Sequence, residues 1–145
     1  MTTPPPPSPP PSPQPTLRGG CECGAVRYEV TASPYHRTLC HCAICRRTSG
    51  APAVAWFSVP SDAFSFVRGG ARTFRSSPVA TRSFCGNCGT PLTFRMDGLG
   101  EVDITTCSLD DPEAVPPDDQ TFTRSRLAWT ETAHRLPGHS TVRNE

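Results

Sequence analysis

The grouping of the cysteines constrains this chain more than any other feature of its sequence. Seven of its eight cysteines fall into three short clusters, and the eighth, Cys107, stands alone. The clusters are Cys21-Glu22-Cys23, Cys40-His41-Cys42-Ala43-Ile44-Cys45 and Cys85-Gly86-Asn87-Cys88. Thiolates are soft, anionic ligands that suit zinc, and two thiols close in sequence provide half of a tetrahedral shell. The pattern therefore predicts a domain that uses bound metal for stability.

Two of the clusters complement each other. Cys85 and Cys88 are separated by two residues and followed by a glycine, which is typical of a zinc knuckle. Cys21 and Cys23 supply two further sulfurs from a distant segment. We expect these four residues to form one structural site, because four protein ligands leave no position for a substrate.

The middle cluster has three thiols, those of Cys40, Cys42 and Cys45, and no fourth cysteine beside them. Three protein ligands and one exchangeable position are the layout of a catalytic zinc. Two alternatives stay open. His41 or Cys107 could be the fourth ligand of this metal shell, and spacing alone does not exclude a mixed pairing of the clusters. For Cys107 we expect a small buried hydrophobic residue instead.

The remaining composition favours a cytoplasmic protein without a membrane or nucleic-acid partner. The sequence starts with neither the basic nor the apolar run of a secretory signal, and no stretch approaches transmembrane length. In a reducing compartment, clustered cysteines serve as ligands or catalytic groups more often than as disulfides. The net charge of +1 lacks the basic excess that nucleic-acid binding requires.

The organisation along the chain is simple. Nine of the first fifteen residues are proline, so residues 1–16 are predicted to be a disordered tail. Residues 17–139 are expected to form one zinc-binding domain, and residues 140–145 a second tail. Oligomeric state is not indicated by any of these features.

Short alternating segments predict a mainly β domain with little helix. Val26–Val30 alternates as a half-buried strand does, and Ala53–Val59 is apolar enough for a strand covered on both faces. One short helix is predicted from Cys42 toward Ser49, and one turn at Asp111–Ala114. Three of the aromatic residues are expected in the core, with a place in the wall of the pocket as the alternative for one of them. These three are Trp56, Phe57 and Trp129.

At these motifs the chain resembles the glutathione-dependent formaldehyde-activating enzyme family, which also includes centromere protein V. The resemblance spans about Leu17 to His139 and rests on several motifs in order. They are Gly20-Cys21-Glu22-Cys23-Gly24 with Val26 and Tyr28, Cys40-His41-Cys42-Ala43-Ile44-Cys45-Arg46-Arg47 with Ser49-Gly50, Arg82 to Leu92, Ser108 to Pro112, and Arg126 to Trp129.

The resemblance implies a β-tent-like fold of small, coiled antiparallel sheets and two zinc ions. It implies that a structural zinc is held by Cys21, Cys23, Cys85 and Cys88. It implies that a catalytic zinc is held by Cys40, Cys42 and Cys45. The implied activity is that of a carbon–sulfur lyase acting on thiol–aldehyde adducts such as S-hydroxymethyl glutathione. The implied partner is a small thiol, for which glutathione is a candidate.

The residues beside the middle cluster have candidate roles. Arg46 and Arg47 are predicted to bind a substrate carboxylate through their planar guanidinium groups. His41 is predicted to transfer a proton or to orient a metal ligand. A non-catalytic zinc scaffold or protein-binding module is the alternative function, and a fourth protein ligand at the middle cluster would favour it.

Overall fold

Two sheets make up the framework of the computed structural model, which describes residues 14–143. Within that range the chain forms ten strands and one α-helix. The strands are β1 (Leu17–Gly20), β2 (Arg27–Val30), β3 (Tyr35–Cys40), β4 (Val54–Pro60), β5 (Phe64–Arg68), β6 (Arg72–Ser77), β7 (Ala80–Phe84), β8 (Pro91–Met96), β9 (Glu101–Thr105) and β10 (Asp119–Thr121). The helix is α1 (Ala43–Ser49).

The smaller sheet has the order β1-β2-β5, and the larger has the order β10-β3-β4-β9-β8-β7-β6. Neighbouring strands are antiparallel except β10, which pairs with β3 in parallel. Short 3₁₀ turns connect several strands, and the C-terminal part of the domain contains a longer 3₁₀ segment, Ala128–Arg135. The expected mainly β fold of short antiparallel strands is confirmed, with this one parallel pair.

The main core lies between the two sheets. Tyr28 and Val30 of β2 are fully buried, and they belong to the same cluster as Phe57 and Val59 of β4. These are alternate residues of their strands, and alternate residues of a strand point to one face. The alternation predicted for Val26–Val30, and the apolar run at Ala53–Val59, therefore both correspond to strands of the core.

The opposite face of the larger sheet is not covered by the smaller one. Trp56 and Ser58 of β4 alternate with the core residues, so they point to this second face. Arg82 of β7 and Asp103 of β9 lie on the same face. All four border an open cavity. The larger sheet thus has one face for the core and one face for a candidate binding site.

The local predictions have mixed outcomes. The short helix begins after its cap residue, Cys42, and ends at Ser49, as expected. A 3₁₀ turn at Pro112–Ala114 matches the predicted turn. Trp56 and Phe57 are buried, but the expectation for Trp129 is wrong, since its side chain is 57% exposed on the C-terminal 3₁₀ segment.

The predictions of a disordered N-terminal tail and of the domain boundaries concern the ends of the chain. Most of the proline-rich tail lies outside the described residues, and residues 14–16 have no regular structure. The boundaries of the predicted domain at 17 and 139 remain predictions. In the part of the chain that is described, no helix is long and apolar enough to cross a membrane.

Replacing Phe57 by alanine tests the position of the core. Phe57 is fully buried, so Phe57→Ala should lower the free energy of unfolding by about 3–5 kcal/mol. Phe74→Ala is the matched control, because that side chain is 54% exposed and its loss should cost less than about 0.5 kcal/mol. Denaturant unfolding of the metal-loaded proteins measures both. Equal losses would contradict a core between the sheets.

Candidate metal centres and active cavity

Four cysteines from two distant turns meet at the edge of the domain. Cys21 and Cys23 lie in the turn between β1 and β2, while Cys85 and Cys88 lie in the turn between β7 and β8. Their four sulfurs all lie within 4.8 Å of one another. The mixed pairing of clusters that the spacing left open is therefore not what the fold produces.

The distances in this four-thiol cluster fit a tetrahedral ion. The sulfurs of Cys21 and Cys23 are 3.6 Å apart, and those of Cys23 and Cys85 are 3.8 Å apart. Sulfurs on a tetrahedral zinc with bonds of about 2.3 Å lie about 3.8 Å from each other. The cluster is thus compatible with zinc.

The backbone around the four-thiol cluster is shaped to present sulfur. Gly24 and Gly89 follow the two cysteine pairs with φ angles of 77° and 82°, which favour glycine. The amide N–H of Val26 donates to Cys21 Sγ at 3.2 Å, and the Asn87 side-chain amide donates to Cys23 Sγ at 3.2 Å. Such donors favour thiolate over thiol.

The second cluster is built by the junction of β3 and α1. Cys40 ends β3, Cys42 caps the helix by accepting a hydrogen bond from the Cys45 N–H at 3.2 Å, and Cys45 lies buried in the first turn. The three sulfurs lie within 4.8 Å of one another. We call this the three-thiol cluster. It too could hold a metal ion.

The thiols of the three-thiol cluster cannot all ionise independently. The hydrogen bond from Cys45 lowers the pKa of Cys40 to about 5, and the same contact raises the pKa of Cys45. Three close thiolates repel one another unless a cation lies between them. A bound divalent ion would remove this conflict by keeping all three sulfurs deprotonated.

A fourth protein ligand is not brought to the three-thiol cluster by residues 14–143. The cysteine, histidine and carboxylate groups within 4.8 Å of one another there are the three thiols alone. His41 is buried, and its Nε2 pairs with Gln120 Oε1 at 2.9 Å. Its Nδ1 is buried without a partner. Cys107 is exposed and belongs to neither cluster, so the expectation that it is buried is wrong.

The three-thiol cluster opens into a cavity of about 450 Å³. Its lining includes all three sulfur-bearing residues and the uncovered face of the larger sheet. This volume lies within the range of about 300–1,000 Å³ that small-molecule sites occupy. The four-thiol cluster does not border this cavity, whereas a ligand in it would reach the three-thiol cluster.

Asp103 is an acid–base group in the cavity that the sequence analysis did not identify. It lies on β9 opposite Ser58, whose hydroxyl donates to Asp103 Oδ1 at 2.5 Å. Burial is the main cause that raises the pKa of this carboxyl, and the nearby Glu101 adds to it. The strand Glu101–Thr105 alternates polar and apolar residues as any half-buried strand does, so the sequence carried no signal that singled out Asp103.

The predicted site residues beside the cluster have different environments. Arg46 donates from Nη1 to the carbonyl oxygens of His41 at 2.9 Å and Ser125 at 2.6 Å, which fastens a C-terminal turn against the cluster. Arg47 is exposed. Neither arginine borders the cavity, nor does His41, so their predicted roles with substrate remain predictions.

Arg82 is a second cavity residue that the sequence analysis did not single out. It is 8% exposed, and its Nη2 lies 3.6 Å from Cys45 Sγ. The motif Arg82-Ser83-Phe84-Cys85 placed it near the other cysteine pair in sequence. Its contact with the three-thiol cluster depends on the order of the strands in the larger sheet, and the sequence does not predict that order.

Comparisons with known proteins identify a matching family and related sequences. The sequence model of a family described as "Glutathione-dependent formaldehyde-activating enzyme" matches residues 16–125. The chain is 36% identical, over 86 residues, to the "Putative glutathione-dependent formaldehyde-activating enzyme" of Halomonas elongata, covering 52% of this chain and 54% of that protein. It is 31% identical, over 80 residues, to an "Uncharacterized lyase" of Schizosaccharomyces pombe, covering 55% and 58%.

A solved structure of a Rhodobacter sphaeroides protein has a similar fold. The TM-score is 0.58 at 24% sequence identity, and the match covers 72% of this chain and 99% of that chain. The likeness supports the fold only. The chain spans little more than half the length of the curated relatives that it matches.

Loss of one ligand of the four-thiol cluster should prevent folding. Cys85 is 1% exposed, and Cys85→Ser should give an unfolded or aggregated protein, because metal binding at such a site supplies folding free energy. Cys107→Ser is the matched control and should keep the metal content and melting temperature of the unaltered protein. Circular dichroism and metal analysis measure these outcomes. A stable, folded Cys85→Ser protein would count against a structural metal.

Replacing the half-buried carboxyl of Asp103 by an amide should make the protein more stable than the unaltered protein, by an amount that grows as pH rises. The raised pKa means that the folded state binds its proton more tightly than the unfolded state, so ionisation of Asp103 opposes folding. The melting temperature of Asp103→Asn relative to the unaltered protein should therefore increase from about pH 4 upward and level off above the folded-state pKa. A difference that shrinks with rising pH would contradict this assignment.

Proposed function

Because the chain belongs to the glutathione-dependent formaldehyde-activating enzyme family, we propose that it is a zinc-dependent carbon–sulfur lyase that forms or cleaves thiol–aldehyde adducts such as S-hydroxymethyl glutathione. Zinc is proposed at both cysteine clusters, with a structural ion at the four-thiol cluster and a catalytic ion at the three-thiol cluster. A cytoplasmic location is also proposed, because thiol ligands must stay reduced and the cytoplasm is a reducing compartment.

The observation that carries the proposal is the difference between the two clusters. The four-thiol cluster supplies a complete tetrahedral set of sulfurs. The three-thiol cluster supplies three ligands at the wall of a cavity, and the described chain brings no fourth ligand to it. A closed shell is typical of structural zinc, and an open one is typical of catalytic zinc.

When bound at the three-thiol cluster, a zinc ion would supply a Lewis-acid position able to accept a substrate sulfur or oxygen. The chain itself supplies the shape of the cavity around that position. Phe94 and Trp56 form an apolar part of the wall, and Asp103 and Ser58 form a polar part. Held in this space, a thiol and an aldehyde would react faster through proximity and orientation.

The proposed reaction moves one proton and forms one bond. The thiol loses its proton, its sulfur attacks the carbonyl carbon, and the carbonyl π electrons move to oxygen, which takes up a proton. Cleavage of the adduct is the reverse. The hydrogen-bonded pair of Asp103 and Ser58 is placed in the cavity to accept the thiol proton and return it to oxygen.

The alternative of a non-catalytic zinc scaffold has less support. A scaffold has no need of a cavity at its second cluster, nor of an ionisable side chain such as Asp103 within that cavity. The raised pKa of this half-buried carboxyl means that its ionisation costs stability, and such a cost is common at functional sites.

The decisive experiment separates loss of activity from loss of fold. Cys42→Ser should remove about one metal equivalent and abolish activity while the domain stays folded, because serine still caps α1. Formation and cleavage of the formaldehyde–glutathione adduct are followed by NMR exchange with the zinc-loaded protein. Cys107→Ser should leave the rate unchanged. A Cys42→Ser protein with full rate would overturn the proposed site.

A further inference from the structure

Arg82 is a buried cation without an acidic partner in the described part of the chain. Its side chain is 8% exposed, although arginine is seldom buried without a partner. The ion pairs formed by residues 14–143 involve five other arginines, all with surface carboxylates. Burying an unpaired charge is expensive, so some other group must offset the charge of Arg82.

The surroundings of Arg82 identify that group. Its guanidinium carbon lies 5.0 Å from the ring centre of Phe94 and 5.8 Å from that of Trp56, and both rings offer only a weak attraction. Its Nε is buried without a partner. Its Nη2 points at Cys45 Sγ, 3.6 Å away. Asp103 lies on the same face but is hydrogen-bonded to Ser58. The group in contact with Arg82 that can carry negative charge is therefore the three-thiol cluster.

A charge count makes this contact significant. Three thiolates around a divalent ion carry one net negative charge, and the guanidinium cancels it. The four-thiol cluster would carry two negative charges, yet its donors are neutral amides. That cluster has Cys23 and Cys88 exposed to water, which solvates its charge. In the three-thiol cluster Cys40 and Cys45 are buried and Cys42 is half-buried, so water solvates its charge less.

We propose that Arg82 is a positioning residue that supplies the counter-charge of the three-thiol metal centre and thereby makes its open position selective for an anionic ligand, a thiolate above all. This inference rests on the proposed function, because it assumes a metal ion at that cluster. Two effects act together. The positive charge lowers the cost of bringing a second anion into the cavity, and the N–H···S contact draws electron density from Cys45.

The cavity gives an incoming ligand access to this charge. Arg82 and the three cysteines line the same space of about 450 Å³. Arg82 also borders a second cavity, of about 490 Å³, which has Phe74 and Pro91 in its wall. Arg82 thus lies between two open spaces, and the three-thiol cluster lines one of them.

Ligand titrations of the cobalt(II)-loaded protein test the inference without turnover. The probes are 2-mercaptoethanol, which has no carboxylate, azide as a simple anion, and imidazole as a neutral ligand. Each is followed by the visible absorption of cobalt(II). Arg82→Met should weaken 2-mercaptoethanol and azide binding about tenfold or more, and leave imidazole binding nearly unchanged. Arg82→Lys, which keeps the charge, should recover most of the anion affinity.

The matched control is Arg95→Met. Arg95 is half-buried over the ring of Phe64, 5.9 Å from its centre, and donates to Ser61 Oγ at 2.8 Å. It does not border the cavity, so its loss should leave all three affinities unchanged. Arg82→Gln replaces Arg82→Met if the latter does not fold, as judged by circular dichroism and cobalt content.

The outcomes separate this inference from the proposed function. Three results would overturn the role of Arg82, even if the parent enzyme turns over adducts. The neutral variants could weaken azide and imidazole binding equally, or could leave the affinity for anions unchanged. The parent protein could also bind imidazole but neither anion. Selective loss of anion affinity would support it even if no thiol–aldehyde adduct proves to be a substrate.

Discussion

The four-thiol cluster is the joint at which two turns far apart in the chain meet, one from each sheet. It connects the turn after β1, in the smaller sheet, with the turn after β7, in the larger sheet, across a sequence separation of 62 residues between Cys23 and Cys85. Short strands and a small core give limited stability to a domain of this size. A metal at this joint would therefore fix the two sheets at the distance that the core between them requires.

The larger sheet then serves two purposes, one on each face. Toward the smaller sheet it presents Phe57 and Val59, which are fully buried. Toward the cavity it presents side chains of the opposite parity, among them Asp103 and Arg82. Charged groups on that face cost stability, and the core on the other face offsets this cost. The division lets a rigid sheet position reactive groups without loops.

The two ionisable groups on the cavity face, the half-buried Asp103 and the buried Arg82, have distinct settings. Asp103 is hydrogen-bonded to Ser58 and keeps its proton more readily than an exposed carboxyl. Arg82 has no carboxylate partner among the described residues and lies against the three-thiol cluster. One group is thus suited to proton transfer, and the other to balancing the charge of thiolates. Both settings accord with the proposed function, in which a thiol becomes a thiolate.

The sequence by itself determined the two cysteine pairs, the cysteine triplet, the short helix after Cys42 and the strands of the core, whereas the fold decided that the two pairs meet in one cluster. These features depend on local spacing, since a two-residue gap between thiols and the alternation of apolar residues act over a few bonds. Polar strands such as β6 and β7 gave no comparable signal, because their side chains do not alternate in hydrophobicity. Only the tertiary structure decided that Asp103 and Arg82 share a cavity with the three-thiol cluster. It also decided that the side chains of Trp129 and Cys107 are exposed. The reason is the order β4-β9-β8-β7, which sets residues far apart in sequence side by side through long-range pairing that no local pattern encodes.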